Sequence, residues 1–294
     1  MLHIDHILCP IDFSDFSRHA IDHALAIAHC YNARITGVHV LPPIPYSDPM
    51  YVQPFVFTPD DIERVQTAAA KFVAEETGRA TIDTVVRQGY VADQIVAEAR
   101  TADADMIVMG THGRSGFDRL VLGSVTERVL RKAPCPVLTV PKKAGDVVPT
   151  ASCLFANVLC AVDFSPASMN ALNYALSLAT RASARLTVMH VLEPGTIAEP
   201  ATIGALEPVN REPMASGAAR KRIRETLIDL GASNFADVVA IGKPYREILR
   251  VAAEQHSDVI AIGAHSEPLG ALAFGSTTNH VVRAAECPVL TLTA

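Results

Sequence analysis

The chain repeats itself, and this repeat constrains the fold more than any single motif. The run His6-Ile-Leu-Cys-Pro10-Ile-Asp12-Phe-Ser14 through His39-Val40-Leu41 aligns without a gap to Asn157-Val-Leu-Cys-Ala-Val-Asp163-Phe-Ser165 through His190-Val191-Leu192. The match returns late in each copy. Gly110-Thr111-His112 answers Gly263-Ala264-His265, Gly123-Ser124 answers Gly275-Ser276, and Cys135-Pro-Val-Leu-Thr answers Cys287-Pro-Val-Leu-Thr. A chain of 294 residues is long enough for two domains of ordinary size, each with its own core. We expect domain 1 over 1–144 and domain 2 over 155–294, because residues 141–156 have linker composition.

Within each copy the hydrophobic period switches between strand and helix. Ile7–Ile11, Arg34–Leu41, Thr81–Arg87, Met106–Gly110 and Pro136–Val140 read as strands, with helices over Arg18–Tyr31, from Thr58-Pro59, over Ala92–Thr101 and over Ser124–Lys132. The second copy places strands near Val158–Val162, Arg185–Leu192, Ala236–Ile241, Val259–Gly263 and Pro288–Leu292. Strands joined by helical crossovers must run parallel, and right-handed crossovers put helices on both faces. The expected class is therefore α/β: two doubly wound, Rossmann-like parallel sheets of five strands in tandem. Ligands of such sheets bind beyond the carboxyl ends of the strands, where Asp12, Val40 and Gly110 fall.

Composition narrows the function. Hydrophobic residues make up 49% of the chain and the net charge is −6, which describes a compact protein without the basic footprint of a nucleic-acid binder. No apolar run approaches a membrane span, and the acid-interrupted start does not resemble a signal peptide, so a cytoplasmic protein is expected. Six cysteines sit mostly in strand-like apolar runs without close pairing, which favours reduced core thiols over disulfides or zinc ligands.

The chemistry concentrates in Gly110-Thr-His-Gly113-Arg-Ser-Gly-Phe-Asp-Arg-Leu-Val-Leu-Gly123-Ser124. Glycines between a strand and a helix free backbone N–H groups and leave a helix N-terminus open, a combination suited to phosphate. Gly113 allows close approach of backbone to ligand, and Arg114 and Arg119 could neutralise phosphate charge. No GxxxxGK[ST] sequence occurs, which argues against a motor-type NTPase.

These residues carry a resemblance: each half is similar to the universal stress protein domain, whose signature is Gly, two residues, Gly, nine residues, then Gly with Ser or Thr. Gly110, Gly113, Gly123 and Ser124 satisfy it at full spacing. The resemblance implies binding of ATP, with or without Mg. Asp12 would contact ribose or adenine, the Val40 backbone would hold adenine, and Gly110, Gly113, Gly123, Ser124 and Val125 would hold the phosphates. Pro10, Thr111, His112 and Arg114 border that site. The resemblance also implies pairing of the final strands, within one molecule as a pseudo-dimer or between two chains as a homodimer.

The second copy departs from the signature. Gly113 becomes Ser266, Arg114 becomes Glu267, Ser115 becomes Pro268, and the span to Gly275 is one residue shorter. A carboxylate opposes an anion and proline removes a donor, so ATP should bind there weakly or not at all. Asp163, Val191, Gly263, Gly275 and Ser276 survive as a weaker second site.

Rival readings remain. Asp12, Asp163, Ser14 and Ser165 also suit local turns and helix caps. His39 and His112 with Asp12, repeated as His190 and His265 with Asp163, could ligate zinc or work as acid and base, although packing and backbone hydrogen bonding explain them with less. Ser14, His112 and Asp12 as a hydrolase triad lack the GxSxG elbow. The basic helix Ala218-Ala-Arg-Lys-Arg-Ile-Arg reads as solvated surface. The functional expectation is an ATP-binding regulatory or stress-protective module, not an enzyme, hydrolysing ATP slowly if at all. The alternatives are a nucleotide-independent protein-interaction scaffold and a metal-dependent hydrolase.

Overall fold

The computed structural model describes residues 3–43, 57–77, 82–112, 122–142, 144, 155–194, 212–264 and 275–292. Gly113, Arg114, Arg119, Cys153, His265, Ser266, Glu267 and Pro268 lie outside them, as do the proline-rich stretch 44–56 and most of the linker. The described residues fall into two compact units on either side of residues 145–154.

The first unit runs β1 (His6–Pro10), α1 (Asp15–Tyr31), β2 (Arg34–Leu41), α2 (Pro59–Thr77), β3 (Asp83–Gln88), α3 (Val91–Thr101), β4 (Met106–Gly110), α4 (Ser124–Lys132) and β5 (Val137–Val140). Its strands are parallel in the order β3-β2-β1-β4-β5. The second unit runs β6 (Asn157–Ala161), α5 (Pro166–Ala182), β7 (Arg185–Leu192), α6 (Glu212–Asp229), β8 (Phe235–Ile241), α7 (Pro244–Glu254), β9 (Val259–Gly263), α8 (Ser276–Ala284) and β10 (Val289–Leu292). Its strands repeat the arrangement as β8-β7-β6-β9-β10, again parallel.

The central strands read as nearly continuous apolar runs because both faces are covered. Ile7, Leu8 and Cys9 of β1 and Ile107 and Val108 of β4 are wholly buried, as are Leu159 and Cys160 of β6 and Ile260 and Ala261 of β9. Burial pushes the thiols of Cys9 and Cys135 up to about 12, with Asp22 and Asp105 respectively adding to the shift, so neither is a nucleophile near neutral pH. The helices start where the sequence supplies caps. Ser14 and Ser165 accept from the backbone N–H of Ser17 and Ser168, and Thr58 and Asp61 bond reciprocally at the head of α2. Asn32 and Ser183 close α1 and α5 in the left-handed conformation.

One carboxylate per unit fixes the amino ends of the central strands. Asp105 Oδ2 accepts from the N–H groups of Asp5 and His6, and Asp258 Oδ2 accepts from those of Ala156 and Asn157. The first strand is thus tied to the loop before β4 in one unit and before β9 in the other. The basic segment of α6 is more engaged than a solvated face: Arg220 and Arg224 pair with Asp237 at 2.9 and 2.7 Å, and Arg222 lies 3.9 Å over the Phe164 ring.

His23, buried in α1, gives the fold a dependence on acid. Burial holds its ionisation below the ordinary 6.5, outweighing the favourable contact of Nδ1 with the His19 carbonyl. The unfolded chain therefore binds the extra proton more readily than the folded one, and the contribution present above pH 6.5 is lost as pH falls through the depressed value. We expect chemical denaturation at pH 7.5 and 5.5 to show a smaller loss of stability for His23→Gln than for the parent chain. Equal losses would exclude His23 as the source.

Candidate functional site

The strand order reverses between β1 and β4, because β2 lies on one side of β1 and the chain then crosses to place β4 on the other. A crevice opens at the carboxyl end of such a pair. On the β1 side the chain leaves through Ile11 and Asp12 into a tight turn before α1. Asp12 Oδ1 accepts from the Ser14 N–H at 3.1 Å, from the Ser14 hydroxyl at 2.5 Å and from the Ser17 hydroxyl. The turn forces Phe13 to a φ of +63°, an uncommon conformation for a bulky residue that costs about 1–3 kcal/mol. Its ring is held by His39 at 4.6 Å and by Phe72 at 5.4 Å between centroids. His39 in turn donates from Nδ1 to the Ile11 carbonyl at 2.7 Å, which fastens the end of β2 to the residue before Asp12. Val40 follows it, buried, two residues beyond the last β1–β2 pair, Pro10 with Val38, and opposite Arg87 of β3. Pro10 ends β1, beyond its last pair with β4, Leu8 with Ile107.

On the β4 side, Gly110 permits a close approach of helix to strand. A Cβ there would lie 2.7 Å from the Phe16 Cβ and 3.1 Å from the Phe16 carbonyl oxygen. This glycine is required by the packing of the first turn of α1 on the end of β4, a reason the phosphate reading alone did not supply. Gly123, the N-cap of α4, donates its N–H to the Thr111 carbonyl at 2.9 Å, and the Thr126 hydroxyl donates to the Gly110 carbonyl at 3.0 Å. The two bonds pin the start of α4 to the end of β4. Among the described residues no side chain caps α4, which leaves its first amides, with the exposed hydroxyl-bearing Ser124 and with Val125, as donors suited to an anion. His112 rests on Phe16 at 5.3 Å, with Nδ1 3.0 Å from the Thr111 hydroxyl and Nε2 buried and unpartnered among the described residues.

The second unit rebuilds this frame. Phe164 has a φ of +64°, Asp163 Oδ1 accepts from the N–H and hydroxyl of Ser165 at 3.0 and 2.6 Å, and His190 Nδ1 donates to the Val162 carbonyl at 2.7 Å. Gly275 bonds the Ala264 carbonyl and Thr278 the Gly263 carbonyl, as Gly123 and Thr126 do in the first unit. A cavity of about 240 Å3 opens at these strand ends. Asp163, Val191, Gly263 and Gly275 all line it, whereas Ser276 does not. The lining residues that escaped the sequence reading include Met189, Glu193, Pro244 and Ile248. The signal for the last two was present, because Pro244 begins a helix just after β8, at the carboxyl edge where a ligand would lie.

No group of three or more His, Cys, Asp or Glu among the described residues is arranged to hold a metal. His39 and His190 use Nδ1 on backbone carbonyls, the packing arrangement weighed against a zinc site. No helix among the described residues is long and apolar enough to cross a membrane.

Two parallel, doubly wound α/β units with crevices at the strand reversal define the class. Each unit matches the Universal stress protein family, over residues 3–141 and 155–292, and the chain belongs to that family as a tandem member. A universal stress protein of Mycobacterium tuberculosis is 27% identical over 90% of this chain and 86% of its own length. One from Methanocaldococcus jannaschii is 38% identical over 148 residues, which span 46% of this chain and 81% of that protein. The crystal structure of a universal stress protein from Archaeoglobus fulgidus is similar in fold with a TM-score of 0.72, at 21% identity and 99% coverage of both chains.

Adding a single methyl group tests the packing argument. Gly110→Ala and Gly263→Ala should each lower stability by about 1–3 kcal/mol in urea denaturation, since the new Cβ meets the backbone of α1 or α5 inside 3.2 Å. A neutral result at either position would show that the helix start can withdraw.

Proposed function

We propose that the first unit binds ATP in the crevice at the carboxyl ends of β1, β2 and β4, and that occupancy makes the protein a nucleotide-responsive regulatory or stress-protective module. The observation that carries this reading is the uncapped start of α4, pinned to β4 at the strand reversal. The amides of Ser124 and Val125, with the Ser124 hydroxyl, hold phosphate. Asp12 takes the ribose or adenine, and the Val40 backbone takes the adenine edge. Gly113 and Arg114, in the glycine signature of the sequence, complete the phosphate grip. Domain 1 (1–144) carries this site and domain 2 (155–294) the weaker one.

An uncapped helix start fits a polyphosphate, whereas the described residues offer no cluster for a resident metal. Any Mg then arrives on the nucleotide, held by phosphate oxygens and water. Binding built on backbone donors stabilises the ground state of the nucleotide without positioning a base for water, so hydrolysis is slow or absent. The module works in the cytoplasm through a protein partner that reads the bound state.

Titration calorimetry of the full chain with ATP tests this directly. Ser124→Glu places a carboxylate at the start of α4, where it complements the helix dipole but repels phosphate. We expect it to weaken ATP at least tenfold while leaving the thermal midpoint unchanged or raised. Absence of ATP binding by the parent chain would leave the protein-interaction scaffold, and unchanged affinity in the variant would remove α4 from the site.

A further inference from the structure

The aspartate turn is held by different chemistry in the two units. In the first, the Phe13 ring meets the edge of Phe72 from α2, and Phe72 is itself buried. The cation of that stack, Arg18, lies on Phe72 at 4.4 Å and comes from α1, the helix that the turn itself begins. In the second unit the Phe164 ring is covered by Arg222 of α6, an exposed residue whose guanidinium lies 3.9 Å from the ring centroid. A positive φ persists only where its surroundings hold it. Phe164 is therefore held in part by a cation of an outer helix, where Phe13 rests on an apolar side chain.

α6 is itself fastened by charge. Residues 212–218 are exposed or half-buried, with Met214 74% exposed, and the buried positions of the helix are Ala219, Ile223 and Leu227. Arg220 and Arg224, one turn apart, both grip the Asp237 carboxylate, whose side chain is 8% exposed on β8. At the same place in the ladder of the first unit stands Thr84, whose carbonyl and hydroxyl take the neutral Gln66 of α2. Helical spacing sets Arg220 and Arg224 on one side of the buried ridge and Arg222 on the other. The helix thus joins Asp237 on the edge strand to Phe164 beside the cavity. Weakening a buried charge set is costly, because its remaining members stay poorly solvated.

We propose that α6 is an electrostatic latch on the Asp163 turn. Asp237 fixes Arg220 and Arg224, these fix the helix, and Arg222 then holds Phe164 at its positive φ. Moving α6 releases the turn, and with it one wall of the 240 Å3 cavity that Asp163 lines. The turn of the first unit rests instead on packing.

Amide hydrogen exchange of the full chain, resolved by residue, reads the latch. The N–H groups of Ser165 and Ser168 donate to Asp163 Oδ1 and Ser165 Oγ, so they exchange when the turn opens, and those of Ser14 and Ser17 report the first turn in the same way. Leu159 and Cys160, wholly buried in β6, report unfolding of the second unit. Loss of one cation–π contact shifts an opening equilibrium by roughly twofold to thirtyfold, so Arg222→Ala should speed exchange at Ser165 and Ser168 at least threefold relative to Leu159 and Cys160. Ser14 and Ser17 should keep their rates. Arg222→Phe, which supplies the kind of side chain that Phe72 provides in the first unit, should restore the parental rates. Asp237→Asn, two strands from the turn, should also speed Ser165 and Ser168 at least threefold on the same scale. Combined with Arg222→Ala it should give less than the product of the two single effects, because both act through one contact. Parental exchange in either single variant, a multiplicative double variant, or an Arg222→Phe chain as fast as Arg222→Ala overturns the proposal. So do rates at Ser165 and Ser168 that rise only in step with Leu159 and Cys160.

Discussion

Each unit depends on one close approach, the first turn of a helix laid against a glycine at the end of the fourth strand. Phe16 over Gly110 and Ala167 with Ser168 over Gly263 leave no room for a Cβ. That contact brings the turn after β1 or β6 and the start of α4 or α8 to the same pair of strand ends. A helix held further away would leave the aspartate turn and the uncapped amides in separate places, and no crevice would join them.

The aspartate turn is held in an unfavourable backbone conformation, and its supports are duplicated. Phe13 and Phe164 both adopt positive φ, and a histidine from the second strand of each unit packs on the ring while donating to the carbonyl two residues before it. A strained turn persists only where surrounding contacts over-determine it. These histidines act as fasteners between strands. The same geometry explains why two histidines and an aspartate near one strand end form no metal cluster among the described residues.

The two units differ in small hydrogen-bond choices. Rotation of one serine hydroxyl, from Asp12 in the first copy to the Ser165 carbonyl in the second, changes how many donors the aspartate already holds. Glu193 for Pro42 changes the charge at the rim. Neither alters the fold, since both fall beyond the buried strand ladder. The frame is conserved between the copies while the lining is free to change.

The sequence by itself determined the duplication, the α/β alternation and most element positions, because buried parallel strands must be continuous apolar runs and helix starts need local caps. Arg34–Leu41, Met106–Gly110, Ser124–Lys132, Arg185–Leu192 and Val259–Gly263 were legible to the residue, and in the remaining expected elements one or both ends moved, by one to three positions. Asp12, Val40, Gly110 and Gly123 were legible as residues of strand ends and of a helix start, because strand ends and glycine spacing are local signals. What only the tertiary structure decided are contacts between residues distant in the chain. These include the packing demand on Gly110, the Arg220 and Arg224 pairing with Asp237, and the place of Glu193, Pro244 and Ile248 around one cavity. Pattern along a chain records which face is apolar, but the neighbours across a crevice are chosen by strand order and helix crossing, which no local period contains.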